Sequence, residues 1–194
     1  MAILLLGLFL FITAHSMPFL ARGTREKFVS VIGLERWRGF ISVVSLIGMA
    51  MICIGYSLAR QAPVPLYVPP TWLRHLSLLI MLPVFPLLFA TYLPGRIQSA
   101  AVHPTLLAVT FWSLAHLLAN GNLGDVLLFW SFFIWSVSDR VSLKYRTEAP
   151  IPGAQPSKFN DLIAIVGGLA VYVVFLFWVH AWLFGVSPLG VTAL

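Results

Sequence analysis

The stretch Ala2–Leu20 contains no Asp, Glu, Lys or Arg, and apolar runs of similar length recur along the whole chain. In hydrocarbon no water pairs with a peptide group. A run of about 20 apolar residues must therefore satisfy its own backbone, which makes it a helix. Of the 194 residues, 60% are hydrophobic and only 9% are charged, a balance foreign to soluble domains of this length. The residues predict an all-α fold: a polytopic membrane bundle of about six transmembrane helices. The spans are read at residues 2–21, 39–59, 71–93, 101–119, 123–141 and 161–185, the fourth and fifth close to the minimum length for a core of roughly 30 Å. No segment between the runs is long enough to fold alone, so residues 1–194 read as one domain. The first run lacks a basic stretch before it, which points to a retained span rather than a cleaved signal.

The net charge of +6 raises nucleic acid as a partner, but its distribution favours the bilayer. Arg22, Arg25, Lys27, Arg36, Arg38, Arg96, Arg140, Lys144, Arg146 and Lys158 fall in the odd-numbered loops, against Arg60 and Arg74 on the other side. Lys and Arg collect in cytoplasmic loops. Both termini are therefore expected on the non-cytoplasmic side of the membrane, with no nucleic acid bound. The single Cys53 rules out an intramolecular disulfide.

Prolines and glycines punctuate the spans. Pro63, Pro65, Pro69 and Pro70 predict an extended second loop. Pro83 and Pro86 should kink the third span and free carbonyls for neighbours to satisfy. Asn120-Gly121 is suited to a left-handed helix end. Pro150, Pro152, Gly153 and Pro156 mark the longest loop. Ala164, Gly167 and Gly168 suit close helix approach. Asp125 and Asp161 fall at helix starts, where carboxylates complement the dipole.

Five histidines remain, and an ionisable side chain in a span is a candidate for function. His15 either reaches the interface, bonds a neighbouring helix, or holds a metal. His103 precedes Pro104 and reads as a helix-starting residue near the surface. His116 lies inside the fourth span. Thirteen residues of helix, roughly 20 Å, keep His103 and His116 from sharing one small ion. His75 and His180 read as interfacial. Trp72, Trp178 and Trp182 fit an interfacial belt, and Trp112, Trp130 and Trp135 sit deeper, against a core or a flat cofactor. Arg22 follows His15 by two helical turns, on one face. There is no HExxH, CxxC, phosphate loop, GxSxG or paired intramembrane carboxylate.

The segment Thr13-Ala14-His15-Ser16 with Arg22, the stretch Gly33-Leu34-Glu35-Arg36-Trp37-Arg38-Gly39, and His103-Pro104 followed by Phe111-Trp112-Ser113-Leu114-Ala115-His116-Leu117-Leu118-Ala119-Asn120-Gly121 together resemble the NnrU family over essentially the whole chain. The resemblance implies a bacterial inner-membrane protein associated with nitric oxide and denitrification. NnrU proteins are in turn similar to 15-cis-zeta-carotene isomerase, a haem b membrane enzyme. Carried over, that similarity implies haem b iron held by His15 and His116, with His103 in reserve, Arg22 and Arg25 near the propionates, and a lipophilic polyene as substrate for cis–trans isomerisation. A non-catalytic haem sensor or electron carrier is equally compatible. His103-Pro104 also has a partial likeness to membrane methyltransferases that use S-adenosylmethionine, although Val102 stands where those carry arginine. A cofactor-free assembly factor is the third alternative.

Overall fold

The computed structural model describes residues 1–146 and 151–190. Pro150, expected in the longest loop, lies outside the described residues. The order of elements is α1 (Ala2–Leu20), α2 (Arg22–Ile32), α3 (Leu34–Gln61), α4 (Thr71–Met81), α5 (Val84–Ala90), α6 (Arg96–Ala101), α7 (Pro104–Ala119), α8 (Leu123–Ser142), α9 (Asn160–Val174), a π-helical turn (Phe175–Val179) and α10 (His180–Phe184). The all-helical expectation holds for the described residues; the only extended pairing there is an isolated bridge between Pro65 and Asn122.

Among the described residues four segments are long and apolar enough to cross a membrane: Ala2–Leu20, Leu34–Gln61, Thr71–Ala90 and Asn160–Phe184. Their exposed side chains are apolar, such as Leu5, Leu6 and Phe9 on α1, Val43, Leu46 and Ile47 on α3, and Leu162, Ile163 and Val166 on α9. Water would not tolerate such surfaces, whereas acyl chains do. Of the other two expected spans, α7 is apolar but has 16 residues, or about 24 Å. The second, α8, has 20 residues but carries Asp125, Asp139 and Arg140.

Two elements depart from the hydropathy reading. Residues 22–32, read as loop, form α2, whose apolar positions are too few for a hydropathy window to register. The second span begins at Leu34 rather than residue 39, because Gly33 supplies a φ of 86° and Glu35 adds a carboxylate to the first turn.

The described residues fall into two compact units. The first comprises Met1–Val68 and Asn120–Ser142. Here α1 and α3 run antiparallel with almost no side chain between them. A Cβ on Gly7 would lie 2.7 Å from Ile52 N, one on Gly48 would lie 2.9 Å from Phe11 N, and one on Gly55 would strike the Leu4 backbone. The helix α8 packs against both α1 and α3. The second loop returns to the head of α8: Leu66 N–H and Tyr67 N–H both donate to Gly121 O, at 2.8 and 3.2 Å, and Leu123 N–H donates to Val64 O at 2.8 Å. Gly121 does not adopt the expected left-handed conformation. It is glycine because a Cβ there would collide with the Tyr67 carbonyl.

The second unit comprises Pro69–Ala119 and Leu143–Leu194. The third span kinks as Pro83 predicts, breaking into α4 and α5. Leu82 N–H turns to Leu79 O, which leaves Leu78 O without its helical donor. The Tyr172 hydroxyl of α9 donates to that carbonyl at 3.0 Å. A neighbour thus satisfies the backbone group freed at the kink, as expected. The helix α9 can reach α5 because Gly168 meets the Pro86 backbone and Ala164 is fully buried.

Gly7→Val is expected to lower stability by about 1–3 kcal/mol, since the Cβ has backbone rather than a movable side chain in its way. Gly39, with nothing within 4 Å, supplies the control: Gly39→Val leaves the unfolding midpoint in detergent unchanged.

Candidate functional site

Three of the five histidines are held by the same device. His15 Nδ1 lies 2.9 Å from Phe11 O, and His116 Nδ1 lies 2.9 Å from Trp112 O. His180 Nδ1 lies 2.8 Å from Val186 O. A carbonyl only accepts, so in each case Nδ1 carries the proton and donates. In the neutral ring the lone pair is then on Nε2. This is the arrangement by which metal-binding histidines are commonly oriented. For His15 and His116 the acceptor is the carbonyl of an aromatic residue one turn earlier, and its ring also packs on the imidazole. Phe11 stacks on His15 at 4.1 Å between centroids, and Trp112 lies 5.3 Å from His116.

In the first unit His15 is half-buried between α1 and α8. The Trp135 ring meets it edge-on at 5.8 Å, and Phe132 flanks both Phe11 and Trp135. Trp135 Nε1 is buried without an acceptor among the described residues, and so is Ser45 Oγ. The pairings of Gly7 with Ile52 and Gly48 with Phe11 place Ser45 at the level of His15 along the antiparallel α1–α3 contact. One end of this unit therefore collects a lone-pair nitrogen, an unpaired indole N–H and an unpaired hydroxyl.

In the second unit His116 is half-buried on α7. Its neighbour Trp112 packs against the buried cluster of Val84, Leu87, Ala101 and Ala108. His180, read as interfacial, is a neighbour of His116, with centroids 6.4 Å apart and ring planes 26° from parallel. His103, the reserve candidate, precedes α7 as expected; its carbonyl accepts Leu107 N–H at 3.2 Å. The residue before it is strained. Val102 has φ 63° and ψ −50°, and His103 N–H donates back to Ala101 O at 2.7 Å, a γ-turn of the disfavoured hand. His75 is exposed on α4.

The two arginines differ. His15 and Arg22 do not share one continuous helical face. Pro18 cannot donate in the last turn of α1, Ala21 has φ −133° and ψ 43°, and α2 sets off anew at Arg22. Arg22 pairs with Glu26 at 2.8 Å on an exposed surface. Arg25, half-buried, has no ion pair among the described residues and is the better placed for an anionic group.

Two carboxylates do more than complement their own helix dipoles. Asp125, buried, accepts the Tyr56 hydroxyl at 2.6 Å and both the backbone and side-chain N–H of Asn122, at 3.2 and 3.0 Å. Asp161 accepts Arg96 N–H at 2.9 Å and Ile97 N–H at 3.1 Å, and so caps the six-residue α6 from a distant part of the chain. Trp130, expected deep, is half exposed and stacks on Phe133 at 5.5 Å.

The family model described as NnrU protein matches residues 3–188. No curated protein matches the chain, and no solved structure does.

Asp125→Ala leaves the Tyr56 hydroxyl and the Asn122 amide without their acceptor, and is expected to destabilise the protein by about 2–3 kcal/mol in thermal unfolding. Tyr67 gives a pH prediction. Burial, then the Asp125 charge, raises its phenol pKa above 10.0, so the fold favours the neutral form. Its hydroxyl donates to Asn120 O at 2.8 Å. That contribution is complete below the ordinary phenol range and is lost as pH rises through the raised pKa. Tyr67→Phe should flatten this alkaline decline in unfolding midpoint.

Proposed function

This chain belongs to the NnrU family, and on that premise we propose that it is a haem b protein of the bacterial inner membrane linked to nitric oxide metabolism. In this reading His15 and His116 are the residues that would offer imidazole nitrogens to the haem iron. The observation that carries the reading is the shared tether of these two rings. Each follows an aromatic residue by four positions and donates Nδ1–H to that residue's carbonyl, the tautomer in which Nε2 is the nitrogen suited to bind iron. Neutral imidazole is the donor suited to haem iron.

The surroundings fit the group. The unpaired Trp135 Nε1 beside His15 lacks an acceptor, and Arg25 offers a guanidinium to a propionate carboxylate. Bound haem would supply an iron able to take up a small ligand or to polarise an electron-rich double bond. The chain's own residues hold and orient the rings, and its apolar outer surface admits a lipophilic polyene sideways from the bilayer. Such a polyene is the substrate that similarity to the isomerase implies.

The topology belongs to the same proposal: six crossings with both termini outside the cytoplasm. Support comes from ten basic residues in the odd-numbered loops against two in the others. In a Cys53→Ser background, single cysteines at Lys27 and Lys144 should resist an impermeant thiol reagent applied to intact cells, whereas one at Gln61 should react. Labelling of all three sites alike would contradict the six-crossing arrangement.

Protein purified in detergent from haem-replete cells is expected to show a Soret band and a haem b pyridine haemochrome. His116→Ala should remove most of the haem, and His15→Ala should lower occupancy several-fold. Arg25→Gln should weaken retention while Arg22→Gln changes little. A wild-type preparation that is folded yet colourless would refute the proposal.

A further inference from the structure

We propose that α2 is an amphipathic helix lying in the bilayer surface, and that its Lys27, with Arg36 at the start of α3, binds the phosphate groups of anionic phospholipids. Nothing in this depends on the haem reading. It rests on the membrane crossing of the two helices that flank α2.

Those helices fix its place. One residue, Ala21, separates α2 from α1, and one residue, Gly33, separates it from α3. Both neighbours are long and apolar enough to cross a membrane, and they run antiparallel, so α2 joins them at one surface. It is too short to cross: 11 residues rise about 16 Å, against a core of roughly 30 Å. Phe28 ties it to α3 by stacking on the buried Trp37, with centroids 5.6 Å apart and planes 20° from parallel. No residue of α2 is itself buried.

What α2 exposes differs from side to side. At about 100° per residue, Phe28 and Val31 share one side, and they are 50% and 82% exposed. Arg22, Glu26 and Ser30 follow one another at intervals of four on a different side, and all three are exposed. Leu20 and Leu34, also exposed, flank the two ends. At the boundary between headgroups and acyl chains, such a helix buries its apolar side and keeps its charged side wet.

The charges select the lipid. Residues 22–38 carry five cations and two carboxylates. Both carboxylates are already paired, Glu26 with Arg22 at 2.8 Å and Glu35 with Arg38 at 2.7 Å. Arg25, Lys27 and Arg36 have no ion pair among the described residues, and Lys27 and Arg36 are exposed. Lys27 stands one turn before Val31. Its alkyl stem can therefore lie along the apolar stripe while the ammonium reaches a phosphate. Unpaired cations at this depth favour a leaflet with net negative charge over a zwitterionic one.

The experiment uses the full chain in lipid nanodiscs. In a Cys53→Ser background, a polarity-sensitive fluorophore is attached at Val31→Cys or, separately, at Ser30→Cys. Phosphatidylglycerol then replaces phosphatidylcholine stepwise. The Val31 probe should shift to the blue as the anionic lipid rises, while the Ser30 probe stays in water. Lys27→Gln and Arg36→Gln should each raise the phosphatidylglycerol fraction at mid-shift several-fold, and unfolding midpoints confirm that both variants are folded. A blue shift produced by inorganic phosphate in pure phosphatidylcholine discs would mark a free-anion site. One that follows the number of chains per disc would mark contact between copies. Either result overturns the lipid assignment, as does a Val31 probe indifferent to lipid or a mid-shift unchanged in both glutamine variants.

Discussion

Every peptide group that this chain carries into hydrocarbon must find its partner within the protein. That requirement accounts for more of the structure than any single packing contact. It makes the long runs helical, and it makes each interruption of a helix a place where something else must donate or accept. At Pro83 the ladder of the third span fails, and the Tyr172 hydroxyl takes the orphaned Leu78 carbonyl. Hydroxyls elsewhere fold back on their own helices, as Thr91 does on Leu87 O and Ser131 on Leu127 O.

The histidines follow the same rule and gain chemistry from it. An imidazole in a water-poor bundle has a donor to satisfy. In His15 and His116 the carbonyl of the preceding turn satisfies it, which costs nothing in tertiary structure and fixes the tautomer. In this tautomer the lone pair of each neutral ring is on Nε2. Two carboxylates show the complementary case. Asp125 and Asp161 could have served only the dipoles of α8 and α9. Each instead accepts hydrogen bonds from distant segments, Tyr56 in one case and the start of α6 in the other. Polar groups in this protein act as fasteners between elements because apolar surface alone cannot choose a register among lipid-like neighbours.

Much of this was legible before any coordinates. Apolar runs mark the spanning helices, Pro83 marks the kink, and Ala164 with Gly168 marks a close helix contact. The aromatic residues four positions before His15 and His116 were equally visible, although their meaning depends on knowing that both lie inside regular helix. Other features had no local signal. Arg22–Ile32 is too polar for a hydropathy window and too short for a span. The glycines of the α1–α3 contact, Gly7, Gly48 and Gly55, have no common spacing on one helix, because they come from two. Pro18 and Ala21 together end a helix that the apolar pattern would carry on to Arg22.

The residues by themselves determined that this is a helical membrane protein with imidazoles inside its bundle, because hydrophobicity and backbone satisfaction are properties of each segment alone. Only the tertiary structure decided which polar groups meet. His180 stands beside His116 through a single-residue π insertion, Tyr172 answers a kink nearly a hundred residues earlier in the chain, and Asp161 caps a helix that it does not belong to. Such meetings depend on the rotation and register of whole helices, and one inserted residue or one missing Cβ changes those without altering the apolar pattern that the sequence displays.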